Sequence, residues 1–188
     1  MLRLLFKFYW WASGWKIQGT FPHEYKKLVI IVAPHTSWKD VLVGFAGRYE
    51  MKIEHAHFLG KKELFDGPFG WFFRKFGGTG VDRFHPSGVV QQVADIFNQN
   101  ETYLLAMSPE GTRKKVDKLR TGFYHIAKTA QVPILMVALD FKNKAIVIGP
   151  ILEPGEDEEK DFNTIIDYFS QFEGDIPSQD LRHLRENI

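Results

Sequence analysis

The sequence predicts an α/β protein of one domain, because apolar strand segments alternate along it with amphipathic helical segments. The run at 28–32 is rich in β-branched residues and bounded by polar ones, as is typical of a fully buried strand. Residues 102–107 and 132–139 form two more apolar runs, and apolar side chains recur with helical spacing at 41–50 and 86–98. A chain of 188 residues can bury a core of its own without disulfides or metals.

The remaining elements complete this order without an internal repeat, a linker or a second domain. From the amino terminus they are a helix at 1–16, a strand at 53–59, an aromatic-rich helix at 68–76, a short strand ending near 83, a helix at 121–130, a strand at 145–149 beside the preceding one, and a helix at 162–172. We expect the last fifteen residues of the chain to fray.

One stretch, residues 33–40, combines a strand end with the chemistry of a helix start. His35 follows the first apolar strand, Ser37 is placed as the N-cap, and Asp40 is placed as its capping-box partner. Open α/β sheets bind ligands at such strand ends. Asp40 can orient the His35 imidazole and stabilise the charge that it gains with a proton, which predicts a general base. By itself the spacing is equally consistent with a structural histidine near a helix carboxylate.

A second stretch, residues 108–113, also follows an apolar strand. Gly111 lets the backbone approach a ligand, Thr112 offers a hydroxyl and Arg113 a guanidinium, so the turn suits an oxyanion or a phosphate. The Glu110 carboxylate opposes anion binding unless it pairs with an arginine or accepts hydrogen bonds from a polyol.

Together these two stretches resemble motifs I and III of the glycerolipid acyltransferase family, which includes 1-acylglycerol-3-phosphate acyltransferases. Residues 77–83 are similar to motif II, 132–139 to motif IV, which lines the acyl or donor site, and 60–64 to a lysine-containing segment of the family. The resemblance covers about residues 17–150 and implies a sheet flanked by helices, as in glycerol-3-phosphate acyltransferase. Two departures are Ser108, where many members have Phe, and Pro34, where Asn is commonest.

The resemblance implies acyl transfer from a thioester to the hydroxyl of a lysophospholipid, with lysophosphatidate as the expected acceptor. Its catalytic residues are His35 and Asp40. The residues that it assigns to the glycerol and phosphate of the acceptor are Lys61, Arg83, Glu110, Gly111, Thr112 and Arg113. The donor is acyl-CoA or acyl carrier protein, and neither a metal nor a bound cofactor is expected. The alternatives are an amino-acid-containing acceptor such as lyso-ornithine lipid, or a membrane-binding module without catalysis.

The N-terminal segment 1–16 is apolar and aromatic around most of a helix, with Arg3 and Lys7 among its cations. Sixteen helical residues reach only about 24 Å, which is short of the ~30 Å hydrocarbon core. We therefore expect an interfacial amphipathic helix over 1–18, with Trp10, Trp11 and Trp15 at headgroup depth, ahead of an acyltransferase domain over 19–188. The alternative is a helix packed on the core of the domain itself.

Composition excludes several other classes of protein and of site. The chain contains no Cys, so it has no disulfide, thiol nucleophile or Cys-based zinc site, and this suits the cytoplasmic face of a membrane. The pair His55 and His57 lacks a third metal ligand nearby.

Charge is distributed unevenly along the chain. Residues 1–150 hold 21 Lys and Arg against 12 Asp and Glu, whereas 151–188 hold 3 against 11. The basic part suits an anionic partner, but no nucleic-acid-reading motif and no GxSxG hydrolase elbow is present.

Overall fold

The fold is described by a computed structural model for residues 2–82 and 88–187. Its strands are β1 (Lys16–Gln18), β2 (Lys27–Ala33), β3 (His57–Lys61), β4 (Gly78–Val81), β5 (Tyr103–Met107), β6 (Ile134–Asp140) and β7 (Ala145–Leu152). Its α-helices are α1 (Leu2–Ser13), α2 (Lys39–Glu50), α3 (Lys62–Asp66), α4 (Gly70–Lys75), α5 (Gly88–Gln99), α6 (Gly122–Ala130) and α7 (Glu158–Phe169). Two 3₁₀ helices, Pro177–Gln179 and Arg182–Asn187, follow α7.

The seven strands form one sheet in the order β1-β7-β6-β2-β5-β3-β4. All neighbouring pairs are parallel except β6 and β7, which are antiparallel. β2 lies between β5 and β6, with Ile31 opposite Met107 and Ala33 opposite Ala138. Because parallel strands bring their carboxyl ends to one edge of a sheet, the segments that follow β2 and β5 meet there.

Both faces of the sheet are covered, which explains why its central strands are continuously apolar. Val29, Ile31 and Ala33 of β2 pack in the core formed with α5, α6 and α7. Leu28 and Ile30 face the opposite core, which is closed by α2. The prediction of an α/β sheet flanked by helices is therefore confirmed.

Several predicted boundaries differ from the structure, and two of these differences have clear local reasons. β3 begins at His57, because 53–56 turn to close the end of α2, where the Ile53 amide donates to the Arg48 carbonyl at 2.9 Å. α7 begins at Glu158, earlier than the predicted 162, because the Asp157 side chain caps it by accepting from the Lys160 amide at 3.0 Å.

The C-terminal residues are ordered, so the prediction that the last fifteen residues fray is wrong. We call residues 173–187 the C-terminal strap. Leu181 and Leu184 are buried in the core, at 0% and 2% exposure. The Ile176 amide donates to Thr36 Oγ1 at 3.1 Å, and Lys39 pairs with Asp175 at 2.9 Å. The strap thus crosses the loop between β2 and α2, and its two leucines hold it in place.

The N-terminal helix has one face on the protein and one face exposed. The Phe6 ring stacks 6.1 Å from Phe45 and 5.6 Å from Tyr49, both in α2. The exposed large side chains of α1 are Leu4, Leu5, Phe8 and Trp11. Within the described ranges, no helix has both the length and the apolar character that a bilayer crossing needs.

Two expectations for the N-terminal segment are corrected. Trp15, expected at headgroup depth, is only 8% exposed and packs edge-on against Phe141 with ring centroids 4.9 Å apart. Residues 16–18, assigned to the interfacial helix, form the edge strand β1 beside β7. The chain turns at Gly14, which has a φ of 73°, and enters the sheet, so the helix cannot continue.

Replacing Leu181 by Ala should lower the free energy of unfolding by about 2–4 kcal/mol, because it leaves a cavity where a fully buried side chain packed. Ile176 in the same strap is 36% exposed, so Ile176→Ala serves as the matched control and should change stability far less. Urea unfolding of the two variants measures the difference. Equal stabilities would mean that the strap is detached in solution.

Candidate functional site

The sheet brings His35 and Asp40 to its carboxyl edge. His35 lies two residues beyond the end of β2, and Asp40 is the second residue of α2. The His35 Nδ1 atom is 3.0 Å from Asp40 Oδ2, in a pair whose carboxylate side chain is 1% exposed and whose imidazole is 24% exposed. A carboxylate only accepts hydrogen bonds, so Nδ1 carries the proton and Nε2 is the acceptor nitrogen of the neutral ring.

Three donors converge on the same oxygen of Asp40. Besides His35, the backbone amides of Thr36 and Ser37 donate to Oδ2 at 2.6 and 2.8 Å. The prediction of Ser37 as the N-cap is wrong, because the helix starts one residue later, with Trp38 at the N-cap position. Of the predicted capping box, only the bond from the Ser37 amide to the Asp40 carboxylate is present. The Ser37 hydroxyl instead accepts from the Lys39 amide at 3.0 Å. The carboxylate is thus held in one position by the loop that carries the histidine.

Glu110 joins the second stretch to the first. Its Oε1 accepts the backbone N–H of His35 at 2.7 Å, and its Oε2 accepts from the Ser108 hydroxyl at 2.6 Å. The residue is 1% exposed, and burial raises the pKa of its carboxyl, while the hydrogen bonds from Ser108 and His35 oppose that rise. Ser108, where many family members have Phe, therefore supplies a hydrogen bond to the buried carboxylate.

The other residues of the second stretch lie nearer the surface. Gly111 has a φ of 65°, a conformation that favours glycine, and a side-chain carbon there would come within 3.2 Å of Arg120 Cγ. The Thr112 hydroxyl accepts from the Lys114 amide at 3.3 Å, and Arg113 is exposed. Arg120 also donates its backbone amide to the Pro109 carbonyl at 2.8 Å. The sequence analysis did not single out Arg120, which the fold brings back beside this turn.

The two remaining predicted site residues are Lys61, of which the structure describes only the backbone, and Arg83, which it does not describe. Lys61 ends β3, and its backbone lies opposite Val81 of β4, at the same edge of the sheet as His35; its side chain is not described. Arg83 lies outside the described residues. Across the described ranges there is no group of three or more His, Asp or Glu side chains that could hold a metal ion.

An apolar cavity of about 330 Å³ lies between α2 and the sheet. Its walls include Val41, the residue next to Asp40, together with Ile30, Val32, Val137 and Leu139. A side-chain carbon built on Gly44, in the middle of α2, would have nothing within 4 Å. The sequence analysis did not predict this cavity. The local signal for it was Gly44, because a glycine inside a helix is destabilising and usually has a packing or functional reason.

Parts of the chain are similar to proteins that carry a name. Over 111 residues, or 57% of its length, the chain is 36% identical to a protein of Streptococcus pneumoniae named 1-acyl-sn-glycerol-3-phosphate acyltransferase. That match spans 40% of the length of the streptococcal protein.

The fold is similar to the crystal structure of the 1-acyl-sn-glycerophosphate (LPA) acyltransferase PlsC from Thermotoga maritima, with a TM-score of 0.59 and 15% identity over 90% of this chain and 75% of that one. A family model described as Acyltransferase matches residues 16–140, which is more than half of the chain and includes both stretches of the site. The chain therefore belongs to the acyltransferase family.

Proposed function

We propose that this protein transfers an acyl group from a thioester to the free hydroxyl of a lysophospholipid, most simply lysophosphatidate. The observation that carries the proposal is the 3.0 Å contact between His35 Nδ1 and the buried Asp40 carboxylate. An apolar cavity is lined by Val41, the residue that follows Asp40. The names of the streptococcal and Thermotoga proteins favour lysophosphatidate as the acceptor. An amino-acid-containing lysolipid is the alternative acceptor.

The chemistry follows from the protonation of the His35 ring. Nε2 accepts the proton of the acceptor hydroxyl as its oxygen attacks the thioester carbonyl carbon. The tetrahedral adduct collapses with cleavage of the carbon–sulfur bond, and the sulfur leaves with the proton from Nε2. Asp40 stabilises the imidazolium between these two steps. A thioester is already activated, so the reaction needs no acyl-enzyme.

The acceptor end is proposed to lie over the 108–113 turn. Arg113 is exposed and has no ion pair with any residue that the structure describes, so its guanidinium is available to phosphate oxygens. Gly111 and Thr112 lie beside it, and the resemblance adds Lys61 and Arg83. Glu110 is buried with both oxygens hydrogen-bonded, so in this proposal it acts by holding His35 against the turn.

The donor end is proposed to place its acyl chain in the apolar cavity. A chain whose carbonyl lies at His35 passes Val41 and enters between α2 and the sheet. Val137 and Leu139 of β6 line that space, in agreement with the role that the resemblance gives to the fourth motif. The thiol carrier, coenzyme A or acyl carrier protein, remains outside.

A lipid surface is the proposed location of the reaction. α1 exposes Leu4, Leu5, Phe8 and Trp11, and Arg3 and Lys7 are exposed on the same helix. This combination suits reversible attachment to anionic lipid, on the cytoplasmic face of a membrane.

His35→Ala should lower acyl transfer by at least ~10²-fold, because it removes the general base, and Asp40→Asn should also be severe, because an amide cannot stabilise the imidazolium. The measurement is transfer of label from an acyl thioester to lysophosphatidate, to a lyso-ornithine lipid and to water.

The control in that experiment is Lys39→Ala, which leaves the His35–Asp40 contact in place and should retain most of the activity. Label released only to water would indicate a hydrolase. Full turnover by a folded His35→Ala protein would contradict the assignment of the base.

Gly44→Leu should shorten the acyl chains that the protein accepts, because the new side chain occupies open space in the cavity one turn beyond Asp40. We expect activity with long-chain thioesters to fall at least tenfold while short-chain thioesters are still used.

Gly122→Leu is the matched control, since a side-chain carbon on this other helical glycine also meets nothing within 4 Å, and it lies in α6, away from the cavity. If Gly44→Leu protein used thioesters of all chain lengths as the wild type does, the proposal that the acyl chain binds in the cavity would be wrong.

Replacing Leu4, Phe8 and Trp11 together by Ser should release the protein from anionic vesicles, because these exposed side chains supply the apolar contact. The melting temperature should change little. Vesicle sedimentation beside thermal melting measures both quantities.

Phe6→Ser is the contrasting variant, because Phe6 packs against α2, and it should lower the melting temperature. Undiminished sedimentation of the triple variant would exclude α1 as the anchor.

A further inference from the structure

The large apolar side chains that the protein exposes are concentrated in three segments. In the described part of the chain they belong to α1, to the start of α2 and to residues 69–72, with Ile176 of the strap as the exception. Among the same described residues, α5, α6 and α7, which cover one face of the sheet, expose none of them. A one-sided apolar surface marks a contact with a membrane or with another protein. The proposed function uses the α1 part and leaves residues 69–72 without a role.

The helix α4, which follows Phe69, lies on the face of the sheet that α2 covers. Phe65 of α3 lies against β4, where a side-chain carbon built on Gly78 would come within 2.7 Å of its ring. The next residue, Thr79, points to the opposite core, where its hydroxyl lies 3.0 Å from that of Tyr103. Because side chains alternate along a strand, Phe65 is on the α2 face, and α4 packs on it through Phe73.

A row of aromatic rings connects α4 to α1. Phe45 of α2 stacks on Phe6 of α1 with ring centroids 6.1 Å apart, and it meets Phe76, just after α4, edge-on at 5.8 Å. The Phe76 ring lies 4.6 Å from that of Phe72. The helices α1, α2 and α4 therefore form one continuous layer, and their exposed side chains belong to its outer side.

The composition of α4 and of the residue before it is that of a lipid contact. Phe69, Trp71 and Phe72 are 68%, 62% and 45% exposed, and the exposed cations Arg74 and Lys75 follow in the last turn. Neither α4 nor α1 contains an acidic residue. Aromatic rings beside Lys and Arg are typical of helices at the headgroup boundary of a membrane, whereas lysine is depleted from protein interfaces.

We propose that Phe69, Trp71 and Phe72 enter the headgroup region of a phospholipid bilayer, as a second lipid contact beside α1. The inference deepens the proposed function and rests on it, because it assumes that the reaction takes place at a lipid surface. A single short apolar contact attaches a protein to lipid weakly and reversibly, whereas two contacts on one domain strengthen each other. With α1 and α4 both in contact with lipid, the face of the protein that α2 covers is turned toward the bilayer.

The absence of cysteine allows this contact to be measured at a single position. Phe69→Cys protein carrying a nitrobenzoxadiazole fluorophore should show stronger, blue-shifted emission when vesicles of equal parts phosphatidylglycerol and phosphatidylcholine are added. The same label on Asn98→Cys protein, at an exposed residue of α5, should show no change. Unchanged emission from position 69, in protein that sediments with the vesicles, would overturn the inference and leave the proposed function intact.

A double variant measures what the contact contributes. Replacing Phe69 and Trp71 together by Ser should raise the lipid concentration needed for half-maximal vesicle binding by about tenfold or more, because it removes two rings from the interface. The melting temperature should change little, since both side chains are exposed. Ile176→Ser, which removes an exposed apolar side chain outside these helices, should bind vesicles as the wild type does. Wild-type binding by the double variant would contradict the second contact.

The competing occupant of this surface is a second copy of the chain. Sedimentation equilibrium without lipid distinguishes the two occupants. A wild-type dimer that the Phe69 and Trp71 double variant converts to a monomer would show a protein interface and overturn the inference. A wild-type monomer whose position-69 label responds to vesicles would support it.

Failure of the proposed function gives a different result, because vesicle binding needs no turnover. Lipid entry by the position-69 label without acyl transfer to any lysophospholipid would support the second contact and reject the proposed function. If both hold, the double variant should lose activity toward acceptor embedded in vesicles and use a short-chain, water-soluble lysophosphatidate as the wild type does. An equal loss on both acceptors would show a structural role for Phe69 and Trp71 and overturn the inference.

Discussion

A buried hydrogen bond between two loops, from the His35 amide to the Glu110 carboxylate, is the contact on which the site depends. It exists because β2 and β5 are parallel neighbours, so the turns that follow them leave the sheet side by side. A carboxylate with 1% exposure would be unfavourable there without donors, and the amide of His35 and the hydroxyl of Ser108 supply them. The bond thereby fixes the backbone of His35.

A second carboxylate fixes the side chain of the same residue. Asp40 accepts from the His35 ring and from two amides of the loop, so the imidazole has one orientation and one tautomer. His35 is thus held by one carboxylate through its backbone and by another through its ring. The C-terminal strap closes the loop from outside through Thr36 and Lys39. In the proposed function, the base is thus positioned before substrate arrives, which is the arrangement that proximity catalysis requires.

α2 connects this site to the rest of the molecule. Its amino end provides Asp40, its inner face lines the cavity with Val41, Gly44 and Arg48, and other side chains of the helix receive Phe6 of α1. The exposed face of α1, the apolar cavity and the His35–Asp40 pair are therefore all connected to one element of twelve residues. In the proposed function, a chain drawn from the lipid surface has only a short path to His35.

The sequence by itself determined the strands and helices with strong periodicity, the two strand-end stretches at 33–40 and 108–113, and the family that they indicate. These features are local, because apolar spacing, helix-start residues and turn residues act over a few positions along the chain. Only the tertiary structure decided that Glu110 faces the His35 amide, that Trp15 is buried, that a cavity lies between α2 and the sheet, and that the strap is held by Leu181. Each of these depends on which distant segments become neighbours. Hydrophobic pattern encodes which side of a segment is buried and leaves open what it is buried against.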